Sequence, residues 1–455
     1  MQRESQRFCT LMVSLGIGAL FAVGHPAEVR AQTVLCPASL PILINGSCTN
    51  GGSGAFSGAA LASQAISELS QTTTQETNKE IGKSIAERRD QERERCPAGF
   101  SRVDGVCRRR PAAEPARAVP PEKPRAVIER RALQPPPTPF IEPAARFGTW
   151  IQVFGDYQKR DASGPGALTI NSTGPGSSNL ALNIQSRTST VGFVGGADLT
   201  SRGLFFANDG LIWGATAGYT DSLLKLNTTV APLVPGNGGT GVNNTRVTVS
   251  GPTAGLYATY FNLGFSSDVT VKFDFLNLHE TFDDSLAVNN GTTVPFTGSG
   301  TVGLLLNTSV IGNLNYRFDL YPNFWIEPTV GAQYVNSSYG SGAAQLGLAN
   351  GNLVRVQGGA RFGNSTIIGN GVLMTTTLTG LAYNDVMVEG GFIPVSSFQG
   401  SNLLVQADQG LMRGQGILAF NFNFGNGMSS FVQGDVYGGA HLFGAGGKAG
   451  ARYQW

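Results

Sequence analysis

The chain has 455 residues, 62 of them glycine, and charged residues make up only 14% of it. Such a composition is poor for a soluble helical protein and is typical of turn-rich β structure, or of a surface that faces something other than water. The formal net charge is +2 over the whole length, so no strong positive field indicates a nucleic-acid partner.

The first 31 residues have the pattern of an export signal. Arg3 and Arg7 precede the apolar run LMVSLGIGALFAVG, which is too short to span a bilayer. Val29 and Ala31 are small residues at the spacing that a signal peptidase requires. We therefore predict a signal peptide over residues 1–31. No later stretch offers about 18 continuous apolar residues, so no transmembrane helix is predicted.

Residues 32–110 form a short segment that contains the four remaining cysteines. CPASLPILINGSC and CPAGFSRVDGVC share one design, in which Cys-Pro and a short loop lead to a glycine, one residue and a second cysteine. In an oxidising compartment each local ring would stabilise its loop by about 3 kcal/mol. The spacing leaves all pairings open, and we favour Cys36–Cys48 and Cys96–Cys107 because both rings are local. The alternative, a four-thiolate metal site, lacks a Cys-x-x-Cys pair and any histidine.

A helix is predicted between the two cysteine loops. ALASQAISEL places Leu61, Ala65 and Leu69 on one helical face. The following TNKEIGKSIAERRDQERER is heavily charged, with Ile81 and Ile85 as its only large apolar residues. So polar a helix is typical of a solvated rod. A self-associating coiled coil is the alternative, but the apolar repeat ends too soon to favour it.

Residues 111–146 are predicted to be a proline-rich basic linker. From residue 96 to 131, nine Lys and Arg residues oppose four Asp and Glu residues, and RALQPPPTPFIEP follows. Such a segment is typical of an extended, self-repelling linker. The alternative is that it contacts anionic partners, namely lipid headgroups, lipopolysaccharide or peptidoglycan.

From Phe147 to Trp455 the chain consists of runs that alternate between apolar and polar residues. VTVKFDF, LAFNFNF and VQGDV each have one apolar and one polar face. Short and long connections take turns between the runs, as expected when the two ends of a barrel face different compartments. About twelve strands are predicted, near 149–158, 188–199, 210–221, 246–261, 267–281, 304–317, 324–336, 353–363, 371–383, 408–424, 429–440 and 445–455.

Three further features favour a membrane barrel over a soluble β-sandwich, which also alternates. Charges are scarce outside the polar positions and loops. The final run GGKAGARYQW still alternates, as a last strand that pairs with the first strand would require. The third feature is an aromatic girdle at the membrane interfaces, predicted for Trp150, Trp213, Trp325 and Trp455. We predict an all-β fold, an antiparallel transmembrane barrel over residues 147–455.

The C-terminal run FVQGDVYGGAHLFGAGGKAGARYQW resembles the end of autotransporter β domains, which finish on Gly-Gly-Lys-x-Gly-x-Arg-Tyr-x-aromatic. GTWIQVFGDY resembles the family's first strand, WIEPTVGAQYV its Glu-Pro strand and LVRVQGGARFG the Arg-containing strand that follows. The resemblance implies a twelve-stranded barrel in the outer membrane of a Gram-negative bacterium. It also implies insertion by the barrel-assembly machinery, which would read Tyr453 and Trp455, and a pore helix before the first strand, for which residues 126–133 are the candidate.

Enzymatic motifs are absent from the sequence. The segment before the barrel has no histidine after the predicted signal, and His279 and Glu280 of LHETFDD would point to opposite faces of a strand. A barrel hydrolase pairing His279 with Asp283 or Asp284 is the alternative to a solvated polar cluster. We predict no enzyme activity, no catalytic residue, no metal and no cofactor.

Two functions remain. The first is a barrel that anchors and exports or displays the short N-terminal segment, with an adhesive or other surface role toward a host or the environment. The second is a porin-like channel whose N-terminal segment stays in the periplasm and binds peptidoglycan.

Overall fold

The structure is a computed structural model. It describes residues 42–44, 47–49, 58–94, 100–103, 106–109, 145–161, 168–171, 179–206, 209–232, 241–287, 293–321, 323–346, 348–369, 371–392, 411–425, 427–439 and 441–455.

One helix and eighteen strands follow each other along the described parts of the chain. In chain order they are β1 (Ile42–Ile44), β2 (Ser47–Thr49), α1 (Gly58–Glu94), β3 (Phe100–Val103), β4 (Val106–Arg109), β5 (Ala145–Asp161), β6 (Leu168–Asn171), β7 (Asn179–Arg202), β8 (Asp209–Pro232), β9 (Gly241–Asn262), β10 (Phe265–Ala287), β11 (Thr293–Tyr316), β12 (Phe318–Tyr321), β13 (Phe324–Tyr339), β14 (Leu348–Ile368), β15 (Val372–Phe392), β16 (Met412–Asn423), β17 (Met428–Gly439) and β18 (Leu442–Gln454). A 3-10 helix, Ala343–Leu346, lies between β13 and β14.

Twelve long strands form one closed antiparallel barrel. Each pairs with its neighbours in chain order, with β6 added beside β7 and β12 beside β13. The barrel closes where β18 pairs with β5, from Leu442 opposite Arg160 to Gln454 opposite Gly148. Closure satisfies the backbone groups that hydrocarbon could not. The prediction of a twelve-stranded barrel is confirmed.

Several strands extend well beyond their predicted ends. β7 and β8 have 24 residues each, and the extra length falls in stretches such as NLALNIQS that the sequence indicates as loop. The physical reason is that one apolar face is needed only where a strand crosses hydrocarbon. Above that level water reaches the outer face, so the outward positions are no longer large apolar residues, while the hydrogen-bonded ladder continues.

The alternation separates lumen from outer surface as predicted. In β10 Lys272 and Asp274 are buried, whereas Phe273 and Phe275 are 40% and 42% exposed. β17 repeats the pattern, with Asp435 inside and Val432 and Val436 outside. A continuous apolar outer surface of this extent is incompatible with water and matches the hydrocarbon region of a bilayer. The fold is a transmembrane β-barrel.

The two ends of the barrel differ. At one end, the short-turn end, β5 begins, β18 ends, and brief connections join strands at 203–208, 263–264, 317–323, 369–371 and 424–427. The opposite end, the long-loop end, carries the connections 162–178 and 393–411. This asymmetry is the usual one of outer-membrane barrels, whose short turns face the periplasm.

The helix α1 lies inside the barrel. Ile66 near its start packs on strands toward the long-loop end, and Arg89 near its end pairs with Asp268, close to the short-turn end. A helix of 37 residues is about 55 Å long, enough to cross the barrel from end to end. Among the described residues, no helix is long and apolar enough to cross a membrane on its own.

The prediction of a solvated rod is therefore wrong. Its charged side chains are buried, because the lumen of the barrel supplies the polar partners that water would otherwise supply. The pore helix is thus α1, far upstream of the candidate at residues 126–133, which lies outside the described residues.

Each predicted cysteine ring contains a two-stranded antiparallel hairpin. In β1–β2 Leu43 is opposite Cys48, and in β3–β4 Arg102 is opposite Cys107. The internal similarity of the two loops thus extends to their backbone. Cys36 and Cys96 lie outside the described residues, so both disulfides stay predictions.

Candidate functional site

The lumen and the helix that fills it are the candidate functional site. Toward the long-loop end, Ile66 and Leu69 of α1 lie in an apolar collar, and both side chains are fully or almost fully buried. The collar is completed by Leu224, Leu226, Val247, Val249, Leu276, Leu278, Val302, Leu305, Ala343, Leu346 and Leu348. These residues come mainly from β8 to β11. They seal α1 against that wall of the barrel by excluding water from it.

Hydroxyl side chains of α1 contact the lumen directly below the collar. Thr73 Oγ1 donates to Ser222 at 2.9 Å, and Asn307 Nδ2 donates to Thr74 Oγ1 at 2.7 Å. Lys272 is fully buried; its Nζ donates to the carbonyl of Thr74 at 3.2 Å and to Asp274 at 2.8 Å. A buried ammonium requires such partners, so the helix and β10 complete each other.

A cluster of acidic and basic groups lies half-way along α1. Lys79 Nζ is 3.2 Å from Asp435 and 3.6 Å from Asp156, and it also pairs with Glu76. Lys83 Nζ donates to Asp435 at 3.2 Å. The two lysines of one helical turn therefore share the carboxylate of Asp435 in β17, and Lys79 also pairs with Asp156 in β5.

The C-terminal strand contributes its polar face to α1. Arg452 Nη2 donates to Glu87 at 2.9 Å and to the carbonyl of Ser84 at 2.8 Å. Lys448 Nζ is 3.6 Å from both Glu80 and Glu87. The Lys and Arg of the run GGKAGARYQW thus bind the helix, a role that sequence reasoning missed although it found the alternation of that run.

A second apolar cluster surrounds the lower half of α1. Ile81 and Ile85, the only large apolar residues of that stretch, are buried against Trp150 and Phe154. The remaining members are Val194, Ile212, Tyr257 and Phe261. The two isoleucines follow the four-residue spacing of one helical face, which was the available signal for a packed rather than solvated helix.

The prediction of an aromatic girdle is wrong for two of the four tryptophans. Trp213 and Trp455 are 52% and 60% exposed on the outer surface, but Trp150 and Trp325 are 5% and 1% exposed and face the lumen. Trp150 Nε1 donates to Tyr257 at 3.1 Å.

The glycines opposite the two buried tryptophans explain their orientation. A Cβ on Gly196 or on Gly363 would collide with the ring of Trp150 or Trp325, respectively, so only glycine leaves room for these rings inside the barrel. Their inward direction was readable from strand parity, because Trp150 shares its phase with Gln152.

Glu327 lies at the centre of an ion-pair cluster near the short-turn end, and its carboxylate is fully buried. It accepts hydrogen bonds from Arg89 at 2.7 Å, Arg93 at 2.9 Å and Arg361 at 2.8 Å. Arg361 also donates to Asp90 at 2.7 Å. Glu327 comes from WIEPTVGAQYV and Arg361 from LVRVQGGARFG, and the two residues are opposite each other in β13 and β14. The cluster fastens the C-terminal turns of α1 to that wall.

Beside α1 a polar cavity of about 180 Å³ lies between part of the helix and the wall formed by β13 to β17, to which ion pairs connect the helix. Its lining extends from Leu442, at the start of β18, to Asp268 near the short-turn end. On the helix side, Gly82 faces open space, with nothing within 4 Å of an added Cβ. We call this space the side cavity. The helix is therefore seated off-centre.

The other predicted residues face outward. Tyr453 and Trp455 are 51% and 60% exposed, and the rings of Trp455 and Phe147 stack at 6.3 Å. His279 is exposed, whereas Glu280 is fully buried on the other face, as predicted. Within the described parts of the chain, no group of three His, Cys, Asp or Glu residues is placed to hold a metal.

Comparisons with known proteins give structural neighbours alone. No family model and no curated protein matches the sequence. The β domain of the Bordetella autotransporter BrkA is 16% identical, with a TM-score of 0.43 over 68% of this chain and 98% of that one. The transport unit of autotransporter AIDA-I from Escherichia coli is 13% identical, with a TM-score of 0.39 over 67% and 90%.

Barrels of another kind also match. A FadL homologue from Pseudomonas aeruginosa is 8% identical, with a TM-score of 0.34 over 68% of this chain and 90% of that one. At these identities and scores the likeness carries no argument about function. The barrel itself rests on the pairing of its strands.

Proposed function

We propose that this chain is an outer-membrane barrel that anchors its N-terminal segment and places the residues before Gly58 at the cell surface. The observation that carries the proposal is the direction of α1, which begins toward the long-loop end and finishes near the short-turn end. In outer-membrane barrels the longer loops are extracellular. A segment that precedes α1 therefore leaves the lumen on the outside.

The same direction divides the segment that the sequence groups as residues 32–110. α1 ends at Glu94 and β5 begins at Ala145, and both points lie at the short-turn end. The proposal therefore displays only residues 32–57 and assigns residues 95–144 to the periplasmic side. This arrangement also favours peptidoglycan as a partner of the basic linker, because an anionic polymer there would attract its positive charge.

Labelling of single cysteines tests the proposal. Two variants retain either Cys36 or Cys107, with the other three mature cysteines replaced by serine, and whole cells are treated with a membrane-impermeant maleimide after mild reduction. We expect Cys36 to react on intact cells and Cys107 to react only after the outer membrane is permeabilised. Reaction of Cys36 only in permeabilised cells would exclude display.

Matched positions on the barrel calibrate the labelling. Ser341→Cys, in an exposed turn at the long-loop end, reports the outside, and Asn323→Cys, exposed at the short-turn end, reports the periplasm. Both are introduced into a cysteine-free background. If Asn323→Cys reacted on intact cells, the orientation of the barrel itself would be reversed.

A further inference from the structure

We propose that the side cavity is a conduit for small anions, which cross the barrel beside α1 while the helix stays in place. The cavity spans much of the barrel height between the polar face of α1 and the wall of β13 to β17. A polar space of about 180 Å³ holds several water molecules, since each needs only a small fraction of that volume and two to four polar partners.

The helix presents one regular face to this space. Thr72, Gln75, Lys79, Gly82 and Ala86 all line it and follow each other at spacings of three or four residues, which places them on one side of a helix. This side has no large apolar residue. The apolar collar instead involves the strands β8 to β11, so α1 is sealed against one wall by apolar packing, whereas a polar space crossed by ion pairs lies between it and the other.

Positive charge predominates on the cavity lining. Lys79, Lys83, Arg160, Arg355, Arg361 and Arg413 line it. The carboxylates on the same lining are those of Glu76, Glu87 and Asp268.

Each of these cations is paired with a carboxylate, and several of those carboxylates lie off the lining. Asp385 accepts from Arg355 at 2.7 and 3.0 Å and from Arg413 at 3.2 Å, yet it is not a lining residue. Rings of Arg and Lys side chains are the lining by which anion pores select their ion.

Unpartnered N–H groups point to the same class of solute. The side-chain amide nitrogens of Gln75, Asn78 and Gln433 have no hydrogen-bond partner among the described residues, and the same holds for one oxygen each of Asn78, Glu87 and Asp268 on the lining. Gln75, Asn78 and Gln433 line the cavity, and they are 9%, 2% and 6% exposed. A buried donor without a partner is costly, and water or an anion in the cavity would satisfy it. Donors and guanidinium groups together recognise chloride, or the oxygens of carboxylates and phosphates.

Recordings in planar lipid bilayers test the conduit on the purified full chain. Current is measured across a KCl gradient, and the reversal potential gives the permeability ratio of chloride to potassium. Gly82 is the position to alter, because a side chain there enters open space and replaces a residue that is unfavourable in helices. Gly82→Glu and Gly82→Lys add opposite charges at one point, and Gly82→Leu adds bulk without charge.

The unaltered chain is expected to conduct with chloride preferred over potassium. Gly82→Glu should lower the permeability ratio, and Gly82→Lys should raise it, each by about threefold or more. Gly82→Leu should reduce the conductance. The matched control is Gly380→Leu, since Gly380 is exposed on the outer face and also has nothing within 4 Å of an added Cβ; it should leave the conductance unchanged.

Absence of current in the unaltered chain, a preference for potassium, or equal ratios in Gly82→Glu and Gly82→Lys would each overturn the conduit. These recordings do not depend on where residues 32–57 lie. Failure of the conduit is therefore distinguishable from failure of surface display.

Discussion

Neutralising Glu327 tests whether the ion pairs near the short-turn end hold α1 in the barrel. Its carboxylate accepts three hydrogen bonds from guanidinium groups, all within 2.9 Å. Two of those groups belong to α1, those of Arg89 and Arg93, and the third is that of Arg361 in the wall. The substitution Glu327→Gln keeps the size of the side chain and removes its charge.

The expected loss in the free energy of unfolding is about 3 kcal/mol, the lower part of the range for breaking a buried ion pair. Two of the three arginines keep an aspartate partner, because Arg89 donates to Asp268 and Arg361 donates to Asp90. Arg93 keeps the carbonyl oxygens of Gly264 and Phe265. The loss in the free energy of unfolding therefore comes mainly from the guanidinium group of Arg93.

Urea-induced unfolding in lipid vesicles, followed by tryptophan fluorescence, measures this loss. Glu389→Gln is the matched control, since Glu389 is exposed on β15, and it should change the free energy by less than about 0.5 kcal/mol. The double variant Glu327→Gln with Arg93→Gln should cost less than the sum of the single variants by about 1 kcal/mol. A loss no larger than that of the control, or strict additivity, would refute the role of the cluster.

Three further outcomes are expected. Ile85→Ala should lower the free energy of unfolding by about 2–4 kcal/mol, because Ile85 is buried between α1 and the wall; a loss below 1 kcal/mol would contradict that packing. Gly363→Ala should destabilise the barrel by about 1–3 kcal/mol by displacing the ring of Trp325, whereas Gly414→Ala on the outer face should be neutral in the same urea titration. Trp455→Ala should lower the amount of folded barrel in outer-membrane fractions without altering the solubility of the chain in the periplasm. Unchanged amounts in the outer membrane would argue against an assembly signal at Trp455.

The barrel was predictable because its signal is local. Alternation with a period of two gave all twelve strands and the two faces of runs such as VTVKFDF and VQGDV. The inward direction of Trp150 followed from the same rule, but the expectation of a girdle overrode it.

The residues of α1 indicate one packed face through Ile81 and Ile85, but they do not indicate where that face packs. A helix rich in Lys, Glu and Arg has the same pattern whether its partners are water or a polar lumen. The residues that pair with the helix in the lumen are distant in the chain, since Lys79 pairs with Asp435, 356 residues further on. A pattern within one window of sequence carries no information about such pairs. The side cavity cannot be predicted from the sequence for the same reason, because its existence depends on the position of α1 in the lumen.

The junction between the first and last strands has a consequence for how the molecule assembles. Gln152 of β5 contacts Ser84, and Arg452 of β18 contacts Ser84 and Glu87. The helix thus bridges the two strands whose pairing completes the cylinder. Because residues 58–94 are synthesised before either strand, they are available to template that last pairing. A cylinder that shut first would have to admit a helix of about 55 Å through one of its mouths.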